Sequence, residues 1–377
     1  MLPRPTAPSP PTPSPAAARV ALLTPASRAA LAVVGVAGPA ACRLADACFQ
    51  PRGGVPLAAR ADGAICVGRW HGPPVDGRQG PGEELVVVRR AADRLEVHCH
   101  GGHAAAEGVI DTLEAAGGRR QAWPDWLRET GLDPLAVEAR LALALAAGPR
   151  AARILSRQAA GMLQAALDRL AGLAGEDRAA LAAQLGRAAR VGLRLTEPWR
   201  VVLAGPVNAG KSSLVNALAG HARSIVSPEP GTTRDLVTTR LVLGGWEMEL
   251  IDAAGTRGKA AVESATEQAG IARARAAAGG ADLVLRLAPA GEPPPEPAAG
   301  ELTVLTKVDL AGAGFTGPAG AILTSTVTGQ GLAALVAAIS VRLVPEDRDE
   351  PDLLAGAVPF TPRQVELVRQ LGERERA

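Results

Sequence analysis

The sequence predicts a multidomain α/β chain: a small N-terminal α/β domain, then an α-helical domain, then a domain built on a mainly parallel, doubly wound sheet. Three observations carry this. Short β-branched runs mixed with one helical stretch fill residues 19–120. An Ala-, Leu- and Arg-rich region with apolar residues at helical spacing follows, and strand and helix signals then alternate as far as Leu343. At 377 residues, 47% of them hydrophobic, the chain is long enough for several cores.

Taken in order, residues 1–18 are a Pro-rich leader, read as disordered. In 19–120, Leu31 to Val36, Leu85 to Val88 and Leu95 to Cys99 read as strands, and the Gly- and Pro-rich run from His71 to Glu83 reads as a loop. His103 to Ala116 reads as a helix ending at Gly117 and Gly118. Residues 121–197 read as the helical domain, with breaks at Gly148, Pro149 and Gly175. Its stripe of Met162, Leu163, Ala166, Leu167 and Leu170 is the core face of a bundle. Residues 198–343 read as the sheet domain, and 344–377 as an acidic linker and a short helix, from about Thr361, that returns to the helical domain.

Composition excludes several functions. A formal net charge of +2 supplies no general attraction to nucleic acid, so any RNA contact has to come from local arginine clusters. Tyrosine is absent and phenylalanine occurs three times, which leaves no visible platform for stacking bases. The four cysteines show no CxxC spacing, the N-terminus does not read as a signal peptide, and no apolar run is long enough to span a membrane. A cytoplasmic protein is expected. His98, His100 and His103 lie near Cys99, but alternation along a strand puts His98 and His100 on the face opposite Cys99, so no metal site is expected there.

Lysine is rare and its placement is informative. Only three of the 40 basic residues are lysines. Lys211 closes the pattern Gly205-x-x-x-x-Gly210-Lys211-Ser212 between an expected strand, Arg200 to Ala204, and an expected helix. In such a loop the backbone amides around Asn208, Ala209, Gly210, Lys211, Ser212 and Ser213 turn toward phosphate oxygens. Lys211 reaches the β and γ phosphates, and the Ser212 hydroxyl ligates Mg²⁺.

Downstream, Thr232 and Thr233 in the segment Gly231 to Asp235 suit a loop that senses the third phosphate, with Thr233 completing the Mg²⁺ shell. The strand Glu249 to Ile251 delivers Asp252, which holds Mg²⁺ through water, and then Gly255, whose amide faces the γ-phosphate. Base selection follows from Thr306, Lys307 and Asp309. The Asp309 carboxylate accepts two hydrogen bonds from the guanine edge, which adenine does not offer. Ser325 and Thr326 supply the loop behind the base. GTP and GDP are the expected ligands.

The order and wording of these elements resemble the TrmE-Era-EngA-like GTPases, and most closely the tRNA modification GTPase MnmE (TrmE) family. Thr24 to Gly38 resembles that family's opening strand, and Glu96, Val97, His98, Cys99, His100, Gly101 and Gly102 resemble its E-x-x-c-H-G-G segment. The resemblance implies a K⁺-stimulated GTPase in which Asn208, with Ser227 and Glu229, holds K⁺, and Glu267 positions the attacking water. It also implies folate binding by the N-terminal domain, a homodimer, and an FAD-containing MnmG-like partner with which the wobble uridine of tRNA is modified. Two departures stand out. The family's Cys-x-Gly-Lys motif is not found before Ala377, and the stretch Gly131 to Ala139 is altered. A regulatory or assembly GTPase that has lost the tRNA-modifying step is therefore the alternative expectation.

Overall fold

The computed structural model describes residues 18–25, 29–72, 82–129, 131–222, 237–252, 280–293, 300–312 and 314–373. The chain divides into two compact units, Met1–Leu132 and Asp133–Ala377. Of the leader 1–18, residues 1–17 lie outside the described residues, and Ala18 is buried, its carbonyl accepting from Arg119 N at 2.8 Å.

The first unit is a seven-stranded sheet: β1 Arg19–Leu22, β2 Leu31–Ala37, β3 Phe49–Pro51, β4 Ile65–Trp70, β5 Glu83–Ala91, β6 Arg94–His100 and β7 Arg119–Arg120. Their order is β3-β4-β5-β6-β2-β1-β7, and every pair is antiparallel except β1 with β7. Period-two alternation sorts the strand faces. In β6, Leu95, Val97 and Cys99 are buried under helices α1 (Ala41–Cys48) and α2 (His103–Ala115), whereas Glu96, His98 and His100 are on the other face. The helices are pinned by Trp70 of β4, whose Nε1 donates to Thr112 Oγ1 at 2.8 Å.

The other face of that sheet is covered only in part. Helix α3 (Trp123–Arg128) sets Trp126 against β2 at Gly35, where a Cβ would come within 2.6 Å of the indole. That contact keeps α3 in this unit, past residue 120. Beyond it, cross-strand neighbours form the rows Val67, Val86, His98, Val33 and Ile65, Val88, Glu96. Leu31, Ile65 and Val67 are left exposed there. Burial raises the pKa of Glu96, but hydrogen bonds from Arg90 at 2.6 Å and from His98 at 3.3 Å outweigh it and hold the carboxyl below its usual range. Among the described residues no cluster of His, Cys, Asp or Glu could hold a metal ion.

The second unit has a six-stranded sheet in the order β13-β12-β11-β8-β10-β9. Its strands are β8 Trp199–Ala204, β9 Val237–Leu243, β10 Trp246–Asp252, β11 Leu283–Pro289, β12 Glu301–Thr306 and β13 Ile322–Leu323. All pairs are parallel except β9 with β10. Central β8 reads Val201, Val202, Leu203, Ala204 without a polar break because both of its faces are buried. Around the sheet lie α4 (Pro134–Leu143), α5 (Pro149–Ala159), α6 (Met162–Gly172), α7 (Gly175–Gly192), α8 (Lys211–His221), α9 (Leu332–Leu343) and α10 (Pro362–Glu373).

The stretch read as a separate helical domain shares one core with the sheet. Leu155, Leu163, Leu167 and Leu170 belong to the same buried cluster as Val201, Leu203 and Leu250. Met162, read as part of the stripe, starts α6 and is exposed. Three local devices explain the merger. The guanidiniums of Arg190 and Arg194 both lie over the Trp199 ring, at 5.8 and 5.7 Å. At Gly192 of α7 a Cβ would collide with the Pro359 carbonyl, so the returning segment passes directly against the helix. A capping box starts α10: Thr361 Oγ1 accepts from Gln364 N at 3.3 Å, and Gln364 Oε1 accepts from Thr361 N at 3.2 Å and also from Phe360 N at 2.8 Å. Gln364 Nε2 also donates to Glu138 of α4 at 2.7 Å, which ties the last helix to the first of the bundle.

The β9–β10 hairpin is held at its turn. A Cβ on Gly148 would come within 2.5 Å of the Gly245 carbonyl, Arg150 N donates to Gly245 O at 3.4 Å, and the Arg150 guanidinium lies 5.8 Å over the Trp246 ring. The opposite end of this hairpin is the pair Val237 and Asp252. Among the described residues, no helix is long and apolar enough to cross a membrane.

Candidate nucleotide site

Parallel strands deliver their C-terminal ends to one edge. Leu203 of β8 is level with Asp252 of β10, Ala204 with Arg286 of β11, and Pro289 of β11 with Thr306 of β12. Loops leaving that edge therefore meet, which is where open α/β sheets bind ligands.

The first loop is Gly205 to Gly210. At Gly205, φ is +153° and a Cβ would meet the Leu287 carbonyl, so only glycine lets the chain turn away from β8 beside β11. Gly210 follows with φ 81° and caps α8. The first amides of α8, from Lys211, Ser212 and Ser213, have no acceptor within the helix and present the positive end of its dipole to an anion. Lys211 is buried, and its Nζ donates to the Gly205 and Pro206 carbonyls, each at 2.8 Å. The ammonium is thus held inside the loop that would cradle phosphates. Asn208 is exposed at the turn of the loop, with φ 68°.

One residue along, Ser212 Oγ donates to Asp252 Oδ2 at 2.9 Å, and Asp252 is buried at the end of β10. A hydroxyl and a carboxylate oxygen beside a phosphate cradle suit a hard divalent cation such as Mg²⁺.

The segment expected to read the base begins at Thr306. This residue is 2% exposed, and its hydroxyl donates to the Ala209 carbonyl at 2.8 Å. Thr306 thus braces the phosphate loop from beneath and couples it to the end of β12. Lys307 follows in the left-handed region, φ 56°, and the short turn from Val308 leaves Asp309 exposed. Among the described residues Asn208 and Lys307 are the two non-glycine residues with positive φ, and both are in this site. Such strain persists where surrounding structure enforces it, typically at functional sites.

The Ser325 loop is stitched to the same segment. Thr324 N donates to Leu305 O at 2.7 Å, and Val308 N to Thr324 O at 3.3 Å. Ser325 is fully buried, and its Oγ accepts from Val327 N and Thr328 N at 3.3 and 3.2 Å, which turns the chain sharply and leaves Thr326 half-buried at the bend. Gly331, φ 73°, ends the turn where a Cβ would collide with the Leu323 carbonyl. Sequence reasoning missed two of these supports. The brace from Thr306 to the phosphate loop and the tether from Thr324 to β12 both join segments separated in sequence, and the one available signal was hydroxyl residues at strand ends.

The structure thus brings together Gly205, Asn208, Ala209, Gly210, Lys211, Ser212, Ser213 and Asp252, with Thr306, Lys307, Asp309, Ser325 and Thr326 on the adjoining loops. Ser227, Glu229, Thr232, Thr233, Gly255 and Glu267 lie outside the described residues.

Comparison with known proteins agrees with this geometry. A protein-family model described as a 50S ribosome-binding GTPase matches residues 200–309, which span the phosphate loop through Asp309. The chain is 36% identical to a tRNA modification GTPase MnmE from Azorhizobium caulinodans, over 70% of this chain and 67% of that protein. It is 35% identical to the MnmE of Methylobacterium sp. (strain 4-46), over 84% of this chain and 80% of that protein. With the MnmE of Symbiobacterium thermophilum the identity is 31%, over 93% and 86%. The match extends well beyond the nucleotide site into the first unit and the helices, and the chain belongs to the tRNA modification GTPase MnmE family, whose GTP-hydrolysing domain it carries.

Proposed function

We propose that this GTPase requires Mg²⁺, is stimulated by K⁺, and acts in the modification of the tRNA wobble uridine. The observation that carries the reading is the Lys211, Ser212 and Asp252 cluster on the loop braced by Thr306, in a chain whose relatives are named for tRNA modification.

In the proposed mechanism the amides of 208–213 and the Lys211 ammonium bind the β and γ phosphates, and Asp309 holds the guanine edge. Ser212 and Thr233, with Asp252 through a water, would hold Mg²⁺, which would supply charge neutralisation at the phosphate oxygens. Glu267 orients a water in line with the bond to the leaving oxygen. Water attacks the γ-phosphorus, the bond to the β–γ bridging oxygen breaks, and its electron pair leaves with GDP. The water's protons pass to the phosphate and solvent. No glutamine follows Gly255 and Thr256 is too short for the role, so Glu267 is the candidate for positioning water. Asn208 stands exposed at the mouth of the loop, where its side-chain carbonyl, with Ser227 and Glu229, would hold K⁺ against the developing negative charge.

The same reading gives the first unit a folate and a second copy of the chain as partners. Exposed Leu31, Ile65 and Val67 on one sheet face favour the second copy. An FAD-containing MnmG-like protein would supply the redox chemistry, and the complex would be cytoplasmic.

Two measurements test the reading. GTP turnover should rise when K⁺ replaces Na⁺, and equal rates would remove Asn208 from the mechanism. Mass spectrometry of wobble uridines in cells lacking the protein should show loss of the modification. Uridines that stay fully modified would leave a GTP-dependent switch in its place.

A further inference from the structure

Between Glu138 and Asp168 the sequence has no acidic residue but carries four arginines, Arg140, Arg150, Arg153 and Arg157. Three of them lie on α5 at positions i, i+3 and i+7, a single stripe of a 3.6-residue helix. The buried side of α5 is Ala151, Ile154, Leu155 and Gln158. Arg150, at the start of the stripe, is turned into the junction with the β9–β10 hairpin, over Trp246. Arg153 is exposed and Arg157 half-buried, while Arg140 is exposed on α4, the helix packed beside α5.

Several other arginines in this unit are neutralised at short range. Arg187 meets Glu350 at 3.3 Å, Arg190 meets Glu346 at 2.8 Å, Arg194 meets Asp282 at 2.6 Å and Arg363 meets Glu138 at 2.5 Å. Among the described residues no carboxylate pairs with Arg140, Arg153 or Arg157. Burial, and after it the nearby charge of Arg153, lowers the pKa of Arg150, as expected where positive charge is crowded along one helix. In a chain of net charge +2 this is a local excess rather than a share of a general field.

We propose that the outer face of α5, through Arg153 and Arg157, with exposed Arg140 on the neighbouring helix α4, binds the phosphate backbone of an RNA strand. The proposal rests on the tRNA reading above and gives it a location on the chain. Guanidinium groups pair with phosphate in a planar, two-pronged geometry, and residues one helical turn apart engage successive groups along a strand. The surface carries no aromatic side chain, so it positions RNA and does not read its sequence.

The test uses the full chain and fluorescein-labelled unfractionated tRNA, at about 50 and about 200 mM salt. The double variant Arg153→Glu with Arg157→Glu should bind at least roughly 10-fold more weakly, and its plot of log affinity against log salt should flatten by about 1.4 to 2 units. The double variant Arg153→Lys with Arg157→Lys should keep most of the salt dependence. GDP affinity and GTP turnover should be unchanged in both, which reports intact folding. Equal tRNA affinity in the glutamate variant and the wild type overturns the proposal. So does stronger competition by poly-L-glutamate than by RNA of equal charge, which would assign the surface to an acidic protein. If the glutamate variant binds tRNA normally while cells lacking the protein lose the wobble modification, the α5 surface is wrong and the tRNA reading stands. A wild-type chain that binds no tRNA, in cells whose uridines stay modified, removes both.

Discussion

The two sheets place their polar groups differently. In the first unit the sheet is almost wholly antiparallel, and successive residues of β6 alternate between its faces: Leu95, Val97 and Cys99 look toward the helices, Glu96 and His98 look away. In the second unit the sheet is mainly parallel and buried on both faces, so its chemistry collects at one edge, where β8, β10 and β12 end together. A face offers area and suits a large or flat partner. An edge offers converging loops. Here Gly205, Gly210 and left-handed Asn208 bend the phosphate loop, and left-handed Lys307 bends the base loop, a geometry that suits a small anionic ligand.

This contrast predicts that damage at the edge abolishes chemistry, while damage to the helix-covered face of the first sheet costs stability alone. The largest effect is expected for Lys211→Ala. Removing a positioned cation from the phosphate loop should lower GTP turnover by about 10²- to 10³-fold, well beyond what the loss of its two hydrogen bonds to the Gly205 and Pro206 carbonyls costs in stability. Steady-state phosphate release measures it, and near-normal turnover would detach the buried ammonium from catalysis.

A smaller effect is expected for Thr306→Val, which keeps the shape but removes the donor to the Ala209 carbonyl. An unsatisfied buried acceptor costs about 1 to 3 kcal/mol. Urea unfolding should register that loss, and GDP should dissociate faster because the phosphate loop loses its brace. Unchanged GDP dissociation would make Thr306 a plain core residue. The smallest is expected for Trp70→Phe in the first unit, where the bond to Thr112 Oγ1 is lost at a cost of about 1 kcal/mol. Here GTP turnover should not move, and a change in turnover would show that the face and the edge are not independent.

Much of the edge is legible in the sequence because each of its parts is local. A loop of fixed glycine spacing, a lysine and a hydroxyl make one contiguous pattern, and Lys307 with Asp309 makes another. The strands of the first unit are legible only at their centres. Leu85 to Val88 extends in the structure to Glu83–Ala91, because Glu83, Glu84 and Arg89 pair in the ladder without an apolar signal. What stays hidden is long-range. The merger of the helical stretch with the sheet depends on Gly192 meeting Pro359 and on Gln364 meeting Glu138, contacts between residues far apart in the chain. Single glycines and glutamines carry no periodicity that would announce them. The arginine stripe on α5 was present in the sequence as helical spacing, but its meaning needed the ion pairs that other arginines make and Arg140, Arg153 and Arg157 do not.

The central claim is that Asp309, on the loop that follows Thr306, selects guanine for the site at this sheet edge. Calorimetric titration of GDP, ADP and xanthosine diphosphate into the wild type and Asp309→Asn tests it most directly. The wild type should bind GDP and reject ADP. The variant should lose roughly 10- to 100-fold in GDP affinity, as expected for one or two charge-assisted hydrogen bonds, and gain affinity for xanthosine diphosphate. A variant that keeps full GDP affinity and gains nothing for the xanthine nucleotide would contradict the claim.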